Sequence, residues 1–158
     1  MNIKEEIHAL SDEVISNIGR LVAIDSHLGT PEKDMPFGKG PAQVLHEALK
    51  IADELGFKTV NLDNYCGYAE MGEGEDIIGI AGHLDIVPAG GGWTHEPFTL
   101  TREGDYVYGR GTTDDKGPVI EALYAMKLLR DSGVKLNKRV RLIMGCNEET
   151  GSKCMEHY

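Results

Sequence analysis

Residues 77–85 read Ile77-Ile78-Gly79-Ile80-Ala81-Gly82-His83-Leu84-Asp85, and this stretch decides the fold. Its first six residues are apolar or glycine, few in number and rich in β-branched side chains. That pattern predicts a buried strand over 77–82. The stretch then turns to an imidazole and a carboxylate two residues apart. In an extended chain, residues i and i+2 point to the same side. A histidine that binds a metal usually passes its second ring N–H to a carboxylate or carbonyl. His83 and Asp85 therefore read as ligand and orienter. The plainer alternative is a surface histidine beside an acid at a strand end.

Upstream, Ile7, Leu10, Val14, Ile18, Leu21 and Val22 fall on one face of a helix over residues 4–24. Residues 25–40 form a loop punctuated by Pro31, Pro36, Gly38 and Gly40. A second helix follows Pro41, with Val44, Leu45, Leu49, Ile51 and Leu55 as its apolar side and Gly56 as its stop. Extended segments are predicted at 58–62 and 67–71, and a turn at 72–76. Downstream, the spacing predicts a loop over 88–97 containing Trp93, a short strand at 106–108, and a helix over 118–129 that ends near Gly133. A strand over 140–144 follows, and a further helix opens at Ser152. No repeat or Pro/Ser linker interrupts the chain, so residues 1–158 read as part of one α/β domain, a mixed sheet flanked by helices. The acidic motifs all lie just after apolar strand or turn segments, where open α/β sheets bind ligands.

Two further motifs carry chemistry. Tyr108-Gly109-Arg110-Gly111-Thr112-Thr113-Asp114-Asp115-Lys116-Gly117-Pro118 places two carboxylates just before a helix, after glycines that permit close approach to a ligand. Helix capping by Asp114 or Asp115 is the bland alternative. A phosphate loop is excluded, because the G-x-x-x-x-G-K-[ST] pattern is missing and paired acids repel phosphate. Glu148-Glu149 follows the 140–144 strand through Gly145-Cys146-Asn147. Adjacent side chains diverge, so one can bind a metal while its neighbour acts as a base on the attacking water. An acidic helix start is the competing reading.

Bulk properties narrow the class. The formal net charge of −10 argues against nucleic acid or an anionic membrane as partner. The first 13 residues lack the basic segment and apolar core of a signal peptide, and no apolar run is long enough to span a bilayer. Three cysteines, Cys66, Cys146 and Cys154, form no C-x-x-C pair and fit free thiols in a reducing, cytoplasmic setting. A nucleophilic role for Cys146 or Cys154 is the weaker alternative.

Taken together, 82–88 (Gly-His-Leu-Asp-Ile-Val-Pro), the 108–118 motif and Asn147-Glu148-Glu149-Thr150-Gly151 closely resemble the M20 family of metallopeptidases, in particular its PepV-like dipeptidase branch. Gly38-Lys39-Gly40-Pro41 and the Trp93 loop extend the resemblance over most of the chain. It implies the N-terminal part of a zinc-aminopeptidase-like catalytic domain. It also implies zinc-dependent hydrolysis of dipeptides by a hydroxide bridging two zinc ions. His83 would bind one zinc, Asp114 would bridge both, and Glu149 would bind the other. Asp85 would orient His83, and Glu148 would be the general base. The bond after the bridging aspartate, Asp114–Asp115, would be a cis peptide. Mn²⁺ and Co²⁺ are possible substitutes for zinc.

The family also supplies a distal aspartate and histidine ligand and a lid domain, which find no counterpart in these 158 residues. His157 falls too early to be that histidine. His8, His27, His46 and His95 read as surface residues. The chain is therefore expected to be an N-terminal portion of a longer enzyme acting on small peptides. Two alternatives stand beside it. One is an M20-type N-acyl-amino-acid deacylase or desuccinylase. The other is a non-catalytic fragment whose exposed strand edges favour self-association.

Overall fold

The computed structural model describes residues 3–158, with the side chain of residue 3 excepted. The first two residues of the polar N-terminal segment lie outside the described residues.

Six strands and four helices follow in the order α1 (Ile3–Val22), α2 (Lys39–Glu54), β1 (Lys58–Leu62), β2 (Cys66–Met71), β3 (Ile77–His83), β4 (Thr101–Glu103), β5 (Tyr106–Tyr108), α3 (Lys116–Asp131), β6 (Arg139–Gly145) and α4 (Lys153–His157). Both α2 and α3 begin two residues before the proline expected as their boundary. Pro41 and Pro118 sit in the first helical turn, where a missing N–H leaves no intrahelical bond unmade.

The main sheet has the order β1-β2-β6-β3. β1, β2 and β6 pair antiparallel, while β3 runs parallel to β6, with Ile77 opposite Arg139 and His83 opposite Gly145. The mixed sheet expected from the sequence is thus present. Alternation along the strands divides its two faces. Val140, Leu142 and Met144 of β6 join Ala69 and Met71 of β2 in the core. Helices α2 and α3 supply Val44, Leu45, Ile51, Ile120 and Leu123 to the same core, all fully buried. Each such side chain contributes about 1.5–3 kcal/mol by leaving water. α1 packs on α2 and α3 as an outer layer.

The opposite face is polar over much of its width. Arg141 Nε donates to Glu70 Oε2 at 2.7 Å, and its guanidinium lies 3.8 Å from the Tyr68 ring centroid. Only the end near Gly145 is covered there, by α4, whose Cys154 is fully buried.

Two expectations need correction. The 77–82 run is not a buried strand: β3 is an edge strand, and Ile77 and Ile78 are 41% and 53% exposed. Apolar composition records what a strand can bury, whereas exposure depends on whether a neighbour covers it. β4 was not predicted, because Thr101-Arg102-Glu103 has no apolar residue. It forms by pairing with β5 in a separate two-stranded ribbon.

After β3 the chain enters the 88–98 loop. Trp93 Nε1 donates to the Ala89 carbonyl at 2.8 Å, Arg110 Nη2 donates to the same oxygen at 3.3 Å, and the guanidinium stands 5.1 Å from the Trp93 ring centroid. Among the described residues, no helix is long and apolar enough to cross a membrane.

Candidate metal centre

β3 and β6 run parallel and end side by side at His83 and Gly145. The three acid-bearing segments meet at that end. His83 closes β3, Asp114 precedes α3, and Glu148-Glu149 follows β6. One ligand atom from each of His83, Asp114 and Glu149 lies within 4.8 Å of the other two. Residues separated by up to 66 positions in sequence are thus gathered into a single donor set.

The imidazole is held firmly. His83 Nδ1 lies 3.0 Å from the carbonyl oxygen of Asp85, which can only accept, so Nδ1 carries the proton. That leaves Nε2 facing the cluster, 2.9 Å from Asp114 Oδ1 and 3.8 Å from Glu148 Oε2. Burial disfavours the His83 cation. The carboxylates of Asp85 and Asp114 more than offset this and raise its pKa to about 9. Glu149 is pushed upward first by burial, then by the nearby negative charge of Asp114. The carboxylate contributions to the two shifts reflect negative charge gathered around His83 and Glu149, a setting that favours a cation.

Asp85 lies where expected but does more than expected. Its backbone carbonyl orients the imidazole, and its carboxylate lies 3.5 Å from Nδ1. That carboxylate also accepts the amides of Glu148 at 2.9 Å and Glu149 at 3.1 Å. It is buried, and it ties the β3 end to the segment after β6. Glu148 extends outward with a side chain 55% exposed. Asn147, itself buried, bonds through its side chain to Thr150 and accepts the Lys153 amide, fixing the turn into α4.

The Asp114–Asp115 peptide bond is cis, as the resemblance implied. Asp115 occupies the N-cap position of α3, yet its side chain makes no capping bond. Capping therefore does not explain the carboxylate pair. Gly117 is required nearby, since a Cβ there would overlap the Thr112 carbonyl. Lys116 is fully buried, and its Nζ donates to the carbonyls of Leu21 at 2.9 Å and Ile24 at 2.7 Å. This satisfies the C-terminal end of α1 and anchors the motif to it. Burial lowers the Lys116 pKa to about 8, opposed by Asp25. Buried Ser26 donates to the Leu84 carbonyl at 2.7 Å and binds the same loop to the β3 end.

Sequence reasoning missed the Lys116 and Ser26 contacts and the targets of the Asp85 and Asp115 carboxylates. Their partners are backbone atoms, which leave no mark in composition. The remaining candidates are dispersed. His157 stacks on Tyr65 and lies 3.1 Å from Asp63, His27 pairs with Asp25, and His46 with Asn64. The three thiols are buried. Burial raises the pKa of Cys66 to about 11 and that of Cys146 well above its ordinary value, which removes the nucleophile alternative for Cys146.

The donor set suits a divalent transition metal, which would displace the proton from Nε2: one imidazole nitrogen facing the cluster, two carboxylates, and excess negative charge. Comparison with known proteins points the same way. Residues 79–158 match the peptidase family M20/M25/M40. The chain is 40% identical over 160 residues to a putative dipeptidase, YtjP, of Bacillus subtilis, covering all of this chain and 35% of that protein. It is 40% identical over 161 residues to a Beta-Ala-Xaa dipeptidase of Lactobacillus delbrueckii subsp. lactis, covering 34% of it. Human carnosine dipeptidase 1 superimposes with a TM-score of 0.81 at 28% identity, over 96% of this chain and 35% of that one. The chain spans about a third of the length of the curated relatives it matches.

Proposed function

The chain belongs to peptidase family M20/M25/M40, and on that premise we propose that it supplies part of the catalytic domain of a metal-dependent dipeptidase, with zinc as the metal and the cytoplasm as its setting. The observation that carries this reading is the convergence of His83, Asp114 and Glu149 at the shared end of β3 and β6.

His83 Nε2, Asp114 and Glu149 would hold the metal. A bound divalent metal supplies Lewis acidity, which polarises the scissile carbonyl and makes the attacking water more acidic. The protein's own residues do the rest. Asp85 holds the His83 tautomer through its carbonyl and fixes the Glu148 and Glu149 amides through its carboxylate. Glu148 stands solvent-exposed beside His83 Nε2. It would take the proton of the attacking water and return it to the departing amine. Substrates would be small peptides, in keeping with the dipeptidase names of the relatives.

Zinc content after dialysis, measured by elemental analysis, tests the metal assignment. Bound zinc that disappears in His83→Ala supports it, and a zinc-free wild-type chain overturns it. Dipeptide turnover then tests the base. Glu148→Ala should keep the metal and lose turnover, while retained turnover would sink the assignment. Faster hydrolysis of N-acyl amino acids than of free dipeptides would reassign the substrate class.

A further inference from the structure

Two of the converging residues, His83 and Asp114, are 31 positions apart and sit on different elements. Something must set their separation. The backbone hydrogen bonds show what does. The Leu84 amide donates to Gly145 O, and the Arg139 amide donates to Asp76 O. Even-numbered residues of β3 therefore face β6, and odd-numbered ones face the open edge of the sheet. The His83 amide thus points away from β6, with no strand to receive it. The Asp115 carboxylate accepts it, with Oδ2 at 3.1 Å.

Asp115 is the residue next to Asp114 and the N-cap of α3, yet its side chain makes no capping bond to its own helix. Only its carbonyl serves the helix, accepting the Val119 amide at 3.0 Å. The carboxylate crosses to β3 instead. Gly82 makes this approach possible. A Cβ at that position would stand 2.8 Å from Asp115 Oδ2 and 2.8 Å from Val119 Cγ2, closer than real Cβ contacts allow.

We propose that Asp115 is a positioning residue of the centre. By accepting the His83 amide it fixes the distance between His83 and Asp114, and Gly82 is the clearance its carboxylate needs. The inference rests on reading the cluster as a metal centre, but the bond joins two protein groups and can be measured apart from that reading. Asp115 is not a ligand in this account. Its role is to accept one N–H, which an amide oxygen also does.

The test uses the whole chain as wild type, Asp115→Ala, Asp115→Asn and Gly82→Ala, with far-UV circular dichroism to confirm folding. The first readout is metal-free hydrogen exchange at the His83 amide. Protection should fall in Asp115→Ala and Gly82→Ala and persist in Asp115→Asn. The second is Zn²⁺ affinity, measured by competition with a chromophoric chelator. It should weaken by about tenfold or more in the first two variants and stay near wild type in Asp115→Asn, as outer partners of metal ligands usually behave. Unchanged protection and affinity in Asp115→Ala overturn the proposal. So does an Asp115→Asn as weak as Asp115→Ala, because charge rather than position would then matter. Absence of Zn²⁺ binding by the wild type defeats the metal reading alone, and the exchange data then decide the positioning role. If Gly82→Ala does not fold, the two Asp115 variants suffice.

Discussion

The two ends of strand β3 differ more than its sequence suggests. At the start, Ile77 and Ile78 are large apolar residues left exposed on an open edge. At the finish and just beyond it, His83, Leu84 and Asp85 are buried, and polar contacts reach them from four directions. Ser26 holds the Leu84 carbonyl, Gly145 accepts the Leu84 amide, Asp115 accepts the His83 amide, and Asp85 receives the Glu148 and Glu149 amides. The difference arises because chain connections return over one end only. Polar contacts are concentrated at the end that carries the candidate metal ligands, and the opposite end is left open.

That contrast can be broken at its strong end first. Leu84→Ala removes a fully buried side chain and should cost about 3 kcal/mol. Ile78→Ala, at the exposed start of β3, should cost less than about 1 kcal/mol. Urea unfolding of both variants compares the two ends, and equal losses would erase the distinction. Next, Asp85→Asn replaces one acceptor oxygen by a donor facing an amide N–H. A loss of about 2 kcal/mol is expected in the same assay. A neutral result would mean that the Glu148 and Glu149 amides find other partners.

Alkaline pH sharpens the contrast by a smaller amount. Cys66 opposes Gly145 at the closed end, and its pKa rises from 9.0 to about 11 because burial penalises the thiolate. The folded state thus prefers the protonated thiol. Its contribution is complete below pH 9 and declines as pH rises toward 11, with a loss of about 1 kcal/mol by pH 10. Thermal unfolding between pH 8 and 11 measures this, and Cys66→Ser should flatten that part of the profile. The smallest effect on stability belongs to Ile78→Lys, within about 0.5 kcal/mol of wild type. A charge there guards the edge, so sedimentation should show less self-association than in wild type.

Much of this architecture was legible in the sequence. The α1 face shows in the spacing of Leu10, Val14, Ile18 and Leu21, and the core side of α2 in Val44, Leu45 and Ile51. The three candidate ligands were legible as residue types after strand or turn segments, and the structure brings them together. What was not legible depends on neighbours distant in sequence. Apolar composition alone did not show that Ile77 and Ile78 lack a cover. Nor did the motifs reveal that the Asp85 and Asp115 carboxylates bond to backbone amides, since any residue supplies an amide. Nor did they show that Lys116 is buried against the α1 carbonyls.

Trp93 is the only tryptophan in the chain. It lies in the loop that leaves the closed end of β3, tied to Ala89 and facing the Arg110 guanidinium. The indole emission of the native chain therefore comes from one place, with no label required. A shift on adding a divalent cation would signal movement of that loop. Steady emission while zinc binds would mean that the site fills against a loop already in its final position.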